Sequence, residues 1–300
     1  MSPDELAFDI VDVFAENPFA GNQLAVVHGA GALTDAQRLA VAREFGYPET
    51  TFPTARSRSA YDVRILTPSM EIPFAGHPTL GTAWVLRERG EIGAGEAVQH
   101  CGAGEVRVAF DGDRVELSAA PSELAGPLPA PLVHALLVDH GLAPDDLAGE
   151  AWVAGCGLGW VHLPVVGPAL GRARLGTRPL ETYDGWPALR DLCDGVNLVA
   201  VTPPERAGGP VDVHARVFVP GLLGAEDAAT GSAAAGLGMA LVASGVLPAG
   251  GAYEIRQGIE MGRPARLSGR VEATDGRATA CHVAGRVHPI ARGTIAAPPA

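Results

Sequence analysis

Three glycines recur at a fixed distance: Gly76, Gly81 and Gly90 precede Gly231, Gly236 and Gly245 by 155 residues each (231 − 76, 236 − 81, 245 − 90). Each trio lies in a segment with helical spacing, AGHPTLGTAWVLRERG and TGSAAAGLGMALVASG. A strand-like run comes before each segment, VRILTP before the first and ARVFVP before the second. In a chain with 39 glycines the spacing alone decides little, but a shared order of strand, turn and helix is the mark of a duplication. The expected architecture is therefore two similar α/β halves, each with a glycine-led helix N-terminus.

The remaining pattern fills both halves with strands. FDIVDVF alternates, NPFAGNQ supplies turn residues, and LAVV follows. Thr34 caps a helix that runs to Phe45. TTFPTA and YDVRIL read as strands, and EVRVAF and RVELSA as a hairpin around Asp111-Gly112. From 119 to 131, AAPSELAGPLPAP holds four prolines without a period and reads as a linker. We set the N-terminal half at 1–120, the linker at 121–129 and the C-terminal half at 130–284, with a strand at about 285–297 joining the N-terminal half. A helix near Leu132–His140 opens the C-terminal half, and strands at WVAG, GWVHLPVV, VNLVAVT, VHARVFV, EIRQGIEM, ARLSGRVEAT and ATACHVAGRVHPI follow.

Composition removes several classes of function. With 47% hydrophobic and 19% charged residues the chain can pack a core. A net charge of −12 argues against nucleic acid or an anionic membrane as partner. All 22 basic residues are arginine, which excludes Schiff-base chemistry on lysine and a phosphate-loop lysine. The uncharged stretch Ala228–Pro248 is too rich in Ala, Gly and Ser for a favourable membrane span and reads as a buried helix. The N-terminus lacks the basic and apolar regions of a signal peptide, and Cys101, Cys156, Cys193 and Cys281 form neither a CxxC nor a metal-ligand pattern. The expectations are a cytoplasmic protein, no metal site, and cysteines with structural roles.

Ionisable groups stand beside the two glycine-led termini. His77 follows Gly76, Asp227 lies four residues before Gly231, and Glu49 sits in PETTF before a strand. Singly, each reads best as a cap or a surface charge. Together they form a set that can pass a proton to and from a carbon acid near neutral pH. Helix N-termini rich in glycine can hold a carboxylate or an enolate-like charge.

Six blocks carry a resemblance to the PhzF-like phenazine-biosynthesis isomerases, relatives of diaminopimelate epimerase. They are DVFAENPFAGNQLAVV (12–27), PETTF (48–52), VRILTPSMEIPFAGHPTLGTA (63–83), GVNLVAVTP (195–203), EDAATGSAAAGLG (226–238) and QGIEMGRPARL (257–267). The resemblance implies an α+β fold of two pseudo-symmetric halves, each a curled, mostly antiparallel sheet around a central helix, with the active site in the cleft between them. It implies that Glu49 is the acid/base that moves a proton and that His77 and Asp227 assist. Asn22, Gly76, Thr230, Gly231 and Ser232 would bind substrate, as would the backbone of His77. It further implies a cofactor-independent isomerase acting on a small, carboxylate-bearing, amino-acid-like molecule that is cyclic or unsaturated, as in dihydro-3-hydroxyanthranilate isomerisation. Relatives commonly form homodimers, so a homodimer is expected.

Where the epimerase branch places two opposed cysteines, this chain has Ala75 and Thr230, so two-thiol racemisation is not expected. Ala228 stands in place of a proline common in the family, Gln23 in place of another, and Pro48 in place of a small polar residue before Glu49. None of these removes a candidate catalytic group, but Pro48 and Gln23 can reshape the pocket near the base. Phe45, Tyr47 and Phe52 are candidates for an apolar setting that would raise the pKa of Glu49. Two rival readings stay open: an epimerase or racemase working through carboxylate and histidine, and a non-catalytic small-anion binder.

Overall fold

A computed structural model of the chain describes residues 5–179, 182–184, 193–204, 206, 208–219 and 226–299. It is a mixed α+β structure dominated by strands, and it divides into two units, Met1–Ser118 with Ala284–Ala300, and Ala119–Val283.

The first unit contains β1 (Glu5–Val13), β2 (Asn22–Val27), α1 (Asp35–Phe45), β3 (Glu49–Ser57), β4 (Ala60–Leu66), β5 (Glu71–Ile72), α2 (Gly76–Glu88), β6 (Glu96–Cys101), β7 (Gly104–Asp111) and β8 (Arg114–Ala119). Thr34 caps α1 in a reciprocal box with Gln37, and Gly46 ends it in a left-handed conformation. That helix covers one face of the sheet through Val41, Ala42 and Phe45, which pack with Phe8, Val27, Phe52 and Leu66. α2 is buried almost throughout, from Gly76 to Leu86 with only Trp84 partly exposed.

The second unit contains β9 (Glu123–Ala125), α3 (Ala130–Asp139), β10 (Trp152–Cys156), β11 (Leu158–Pro164), α4 (Gly167–Leu170), β12 (Gly195–Thr202), β13 (Val211–Phe218), β14 (Glu226–Asp227), α5 (Gly231–Ala243), β15 (Gly250–Gln257) and β16 (Ala265–Thr274). A long strand, β17 (Arg277–Ala296), serves both units: it pairs with β16, β1 and β8. Within the proline-rich segment, Glu123–Ala125 forms a strand that pairs antiparallel with β10, while the prolines fall outside the paired residues. Short strands flanked by proline are the form in which proline-rich chain can join a sheet.

The strand pairings repeat. β1–β2 and β10–β11 are antiparallel, and β2–β3 and β11–β12 are parallel. β3–β4 and β12–β13 are antiparallel, followed by parallel β4–β6 and β13–β15. α2 and α5 are both 13 residues long and start 155 residues apart (231 − 76). The middle pair of shared glycines, Gly81 and Gly236, has the same cause in each unit. A Cβ on Gly81 would come within 2.6 Å of Leu24 and 2.8 Å of Val13, and one on Gly236 within 2.6 Å of the Ala154 carbonyl and 3.0 Å of His162. Both helices lie so close to their own sheet that no side chain fits at that turn. The uncharged stretch is the buried helix it was expected to be, since every residue from Gly231 to Val242 is buried. Among the described residues no helix is long and apolar enough to cross a membrane.

Candidate active site

In the first unit, adjacent parallel strands and a helix start bring three of the expected residues together. Asn22 opens β2, Glu49 opens β3, and His77 lies in the first turn of α2. Leu24 is the register partner of Glu49, so the two strand starts lie side by side. Asn22 Nδ2 is 3.2 Å from His77 Nδ1, and His77 Nε2 is 3.2 Å from Glu49 Oε2. The second approach is close but not aligned as a hydrogen bond, and His77 Nε2 makes none among the described residues.

Burial decides the charge on this imidazole. His77 is 4% exposed, and desolvation pushes its pKa from 6.5 down to about 3, against a smaller opposing hydrogen bond with the Gln23 backbone. At neutral pH it is uncharged. A neutral ring beside a carboxylate can relay or hold one proton without forming a permanent ion pair. The Glu49 side chain is 13% exposed.

The neighbours of Glu49 differ from expectation. Side chains alternate along a strand, so Phe52 points to the opposite face of β3 from Glu49. Phe52 and Phe45 belong to the cluster beneath α1, and Tyr47 stacks on Phe45 at 6.1 Å. On the Glu49 side, Thr51 Oγ1 meets Thr82 Oγ1 of α2 at 2.8 Å. Phe52 therefore builds core on the face of β3 away from Glu49.

The start of α2 is buried, and no side chain caps it. Ala75 is the N-cap residue, and the first turn carries no acidic residue. Gly76 contributes its N–H without a side chain over it.

In the second unit the remaining candidates gather at the start of α5. Thr230 is its N-cap, Gly231 and Ser232 form its first positions, and the first turn again lacks an acid and a side-chain cap. Asp227, on β14, accepts a 2.6 Å hydrogen bond at Oδ2 from the Thr230 hydroxyl. Ser232 Oγ accepts from Trp160 Nε1 at 3.2 Å, which leaves its own hydrogen to point elsewhere.

Three residues without a role in the sequence reading hold this second cluster. Gln257 bonds Thr230 and Asp227, Trp160 orients Ser232, and Arg216 clamps Glu226. The Arg216–Glu226 pair is bidentate at 2.8 Å on each arm, and Arg216 Nη1 also donates to the carbonyls of Leu170 and Ala173. Adjacent residues of a strand face opposite ways, so anchoring Glu226 on one face directs Asp227 to the other. Gln257 stood in a recognised block, but Trp160 and Arg216 in strand runs look like core and surface residues. All four cysteines are free thiols. Among the described residues no group of three or more His, Cys, Asp or Glu could hold a metal ion.

The fold agrees with what the chain is similar to. Residues 11–133 and 186–293 match the family described as phenazine biosynthesis-like protein. An uncharacterised isomerase of Mesorhizobium japonicum is 34% identical over 95% of this chain and 97% of its own length. The trans-2,3-dihydro-3-hydroxyanthranilate isomerase of Pseudomonas chlororaphis is 32% identical over 95% of this chain and 98% of its own. Among solved structures, a predicted epimerase of Pseudomonas aeruginosa superposes with a TM-score of 0.78 at 33% identity, covering 97% of this chain and 99% of that one. The fold is also that of a hydroxyproline epimerase from Agrobacterium vitis, with a TM-score of 0.62 at 16% identity over 98% of this chain and 93% of the other. With this match across both units, the chain belongs to the phenazine biosynthesis-like protein family and is an isomerase.

Proposed function

We propose that this isomerase moves a proton within a small, carboxylate-bearing, amino-acid-like substrate that is cyclic or unsaturated, without a cofactor. The carrying observation is the neutral, buried His77, whose Nε2 stands 3.2 Å from the Glu49 carboxylate and makes no hydrogen bond among the described residues. Glu49 takes a proton from one carbon and returns it to another, while His77 holds or relays it. The charge that develops between the two steps spreads over the conjugated carbons and the acceptor group. The N–H groups of Gly76 and His77 at the start of α2 are the donors for the substrate's anionic group. Asp227 orients the substrate's amine or hydroxyl. One carboxylate and one imidazole balance the protons of such a shift, so the reaction calls for no electron acceptor. A homodimer in the cytoplasm belongs to the same proposal.

Proton NMR in D2O tests the reading. Wild type and Glu49→Gln are incubated with trans-2,3-dihydro-3-hydroxyanthranilate, the compound named for the Pseudomonas chlororaphis relative, and with a panel of cyclic and unsaturated amino acids. The expected result is deuterium at a new carbon with wild type and none with the variant. Deuterium returned to the starting carbon with inversion would make the chain an epimerase. Tight binding with no exchange in any compound would make it a binder.

A further inference from the structure

We infer that Gln257 is a positioning residue for catalysis: its side-chain amide locks Thr230 and, through Thr230, the carboxylate of Asp227. This rests on the role proposed for Asp227.

Gln257 ends β15 and is 2% exposed, yet both ends of its amide are used. Oε1 accepts from the Thr230 backbone N–H at 3.2 Å. Nε2 donates to the Asp227 carbonyl at 2.8 Å and to Thr230 Oγ1 at 3.0 Å. The three contacts fix the direction of every hydrogen. Because Oε1 must face an N–H, Nε2 must face the two oxygens, and a hydroxyl that already accepts from Nε2 is free to donate its own hydrogen. Thr230 gives that hydrogen to Asp227 Oδ2 at 2.6 Å. Amide, hydroxyl and carboxylate thus form a one-way chain, and the carboxylate at its end has a fixed rotamer.

The next residue makes this approach possible. Gly258 has φ +71, and a Cβ there would lie 2.6 Å from the Ala228 carbonyl. The Gln-Gly pair therefore brings the end of β15 against the main chain of the Asp227–Thr230 segment: the glycine allows the contact and the glutamine ties it. A glutamine serving only the core would not need three polar partners on one short segment.

The test compares Gln257→Met, which keeps the length and loses every hydrogen bond, with Asp227→Asn and the double variant. Turnover is read by deuterium incorporation into trans-2,3-dihydro-3-hydroxyanthranilate. The expected result is a fall in kcat of about 30- to 100-fold for Gln257→Met with KM moving less than about threefold, and a double variant no worse than Asp227→Asn alone, as for groups acting as one unit. A kcat within about twofold of wild type, or losses that multiply in the double variant, would overturn the inference. Backbone amide exchange is measured alongside. In Gln257→Met the Thr230 amide should exchange at least about tenfold faster while β13 and β15 stay protected, which separates lost positioning from failure to fold. If wild type turns over no compound, the proposed reaction fails, and unchanged Thr230 exchange in Gln257→Met would then refute the positioning on its own.

Discussion

Acidification from pH 7.5 to 5.0 should cost this protein about 4 kcal/mol of unfolding free energy, mostly through two histidines. Burial lowers His77 from 6.5 to about 3 and His162 from 6.5 to about 4. The unfolded chain takes up a proton at each site as pH falls through 6.5, whereas the folded chain stays neutral there until far lower. Stability is therefore whole above pH 6.5 and drains away below it. At pH 5.0 each site has crossed 1.5 pH units (6.5 − 5.0) of this window, and at about 1.36 kcal/mol per unit that is about 2 kcal/mol per histidine. His28 and His140 are also lowered by burial and add to the loss, while the raised Asp194 works against it. Urea unfolding at both pH values checks this, with Trp84 of α2 reporting the first unit and Trp160 the second. Independent transitions should each lose about 2 kcal/mol, and a joint transition about 4. His162→Gln should recover about half of the joint loss, since glutamine can still meet Asn197 and the Ala154 carbonyl that His162 now contacts at 3.1 and 3.3 Å. A wild-type loss below about 1 kcal/mol, or a His162→Gln variant with unchanged pH dependence, would refute the assignment of buried neutral imidazoles.

Alanine at the paired glycines should rank by what the new Cβ meets. Gly236→Ala faces a backbone carbonyl and should cost about 2–3 kcal/mol, whereas Gly81→Ala faces side-chain methyls that can turn and should cost about 1–2, as read from thermal or urea midpoints. Arg216→Met leaves the partly buried Glu226 without its counter-ion and should cost about 2–3 kcal/mol, with a fall in kcat because β14 carries Asp227. Asn22→Leu removes the partner of His77 Nδ1, and kcat should drop about tenfold with little change in the urea midpoint.

Much of this molecule was legible in the chain because glycine is a strong constraint. The spacing of Gly76, Gly81 and Gly90 against Gly231, Gly236 and Gly245 located both central helices; carbonyl and methyl contacts bar a Cβ at Gly81 and Gly236, and φ values of +71 and +78 favour glycine at Gly90 and Gly245. Thr34 and Gly46 marked the bounds of α1 for equally local reasons. The short pairing of Glu123–Ala125 was hidden because a three-residue strand leaves no period to read among prolines. The side of the strand on which Glu49 falls was also hidden, since Phe45, Tyr47 and Phe52 are near it in sequence while two of them pack under α1. Gln257 is 30 residues from Asp227 (257 − 227), and Trp160 is 72 from Ser232 (232 − 160). Pairings of that range depend on strand order, which no local pattern carries.

The long strand shared between the units dictates the order in which the protein can be built. Leu6 pairs with Ile295, 289 residues further on (295 − 6). The segment 119–283 is continuous and can bury its core, including β10 to β16, while synthesis proceeds. Residues 5–118 cannot complete theirs until β17 arrives, and until then β1 lacks one neighbour and offers an open row of backbone donors and acceptors. Closing so distant a pair is slow, and the interval is when an unpaired edge meets other chains. The nascent protein is thus most prone to aggregate through β1 in the interval before β17 pairs with it.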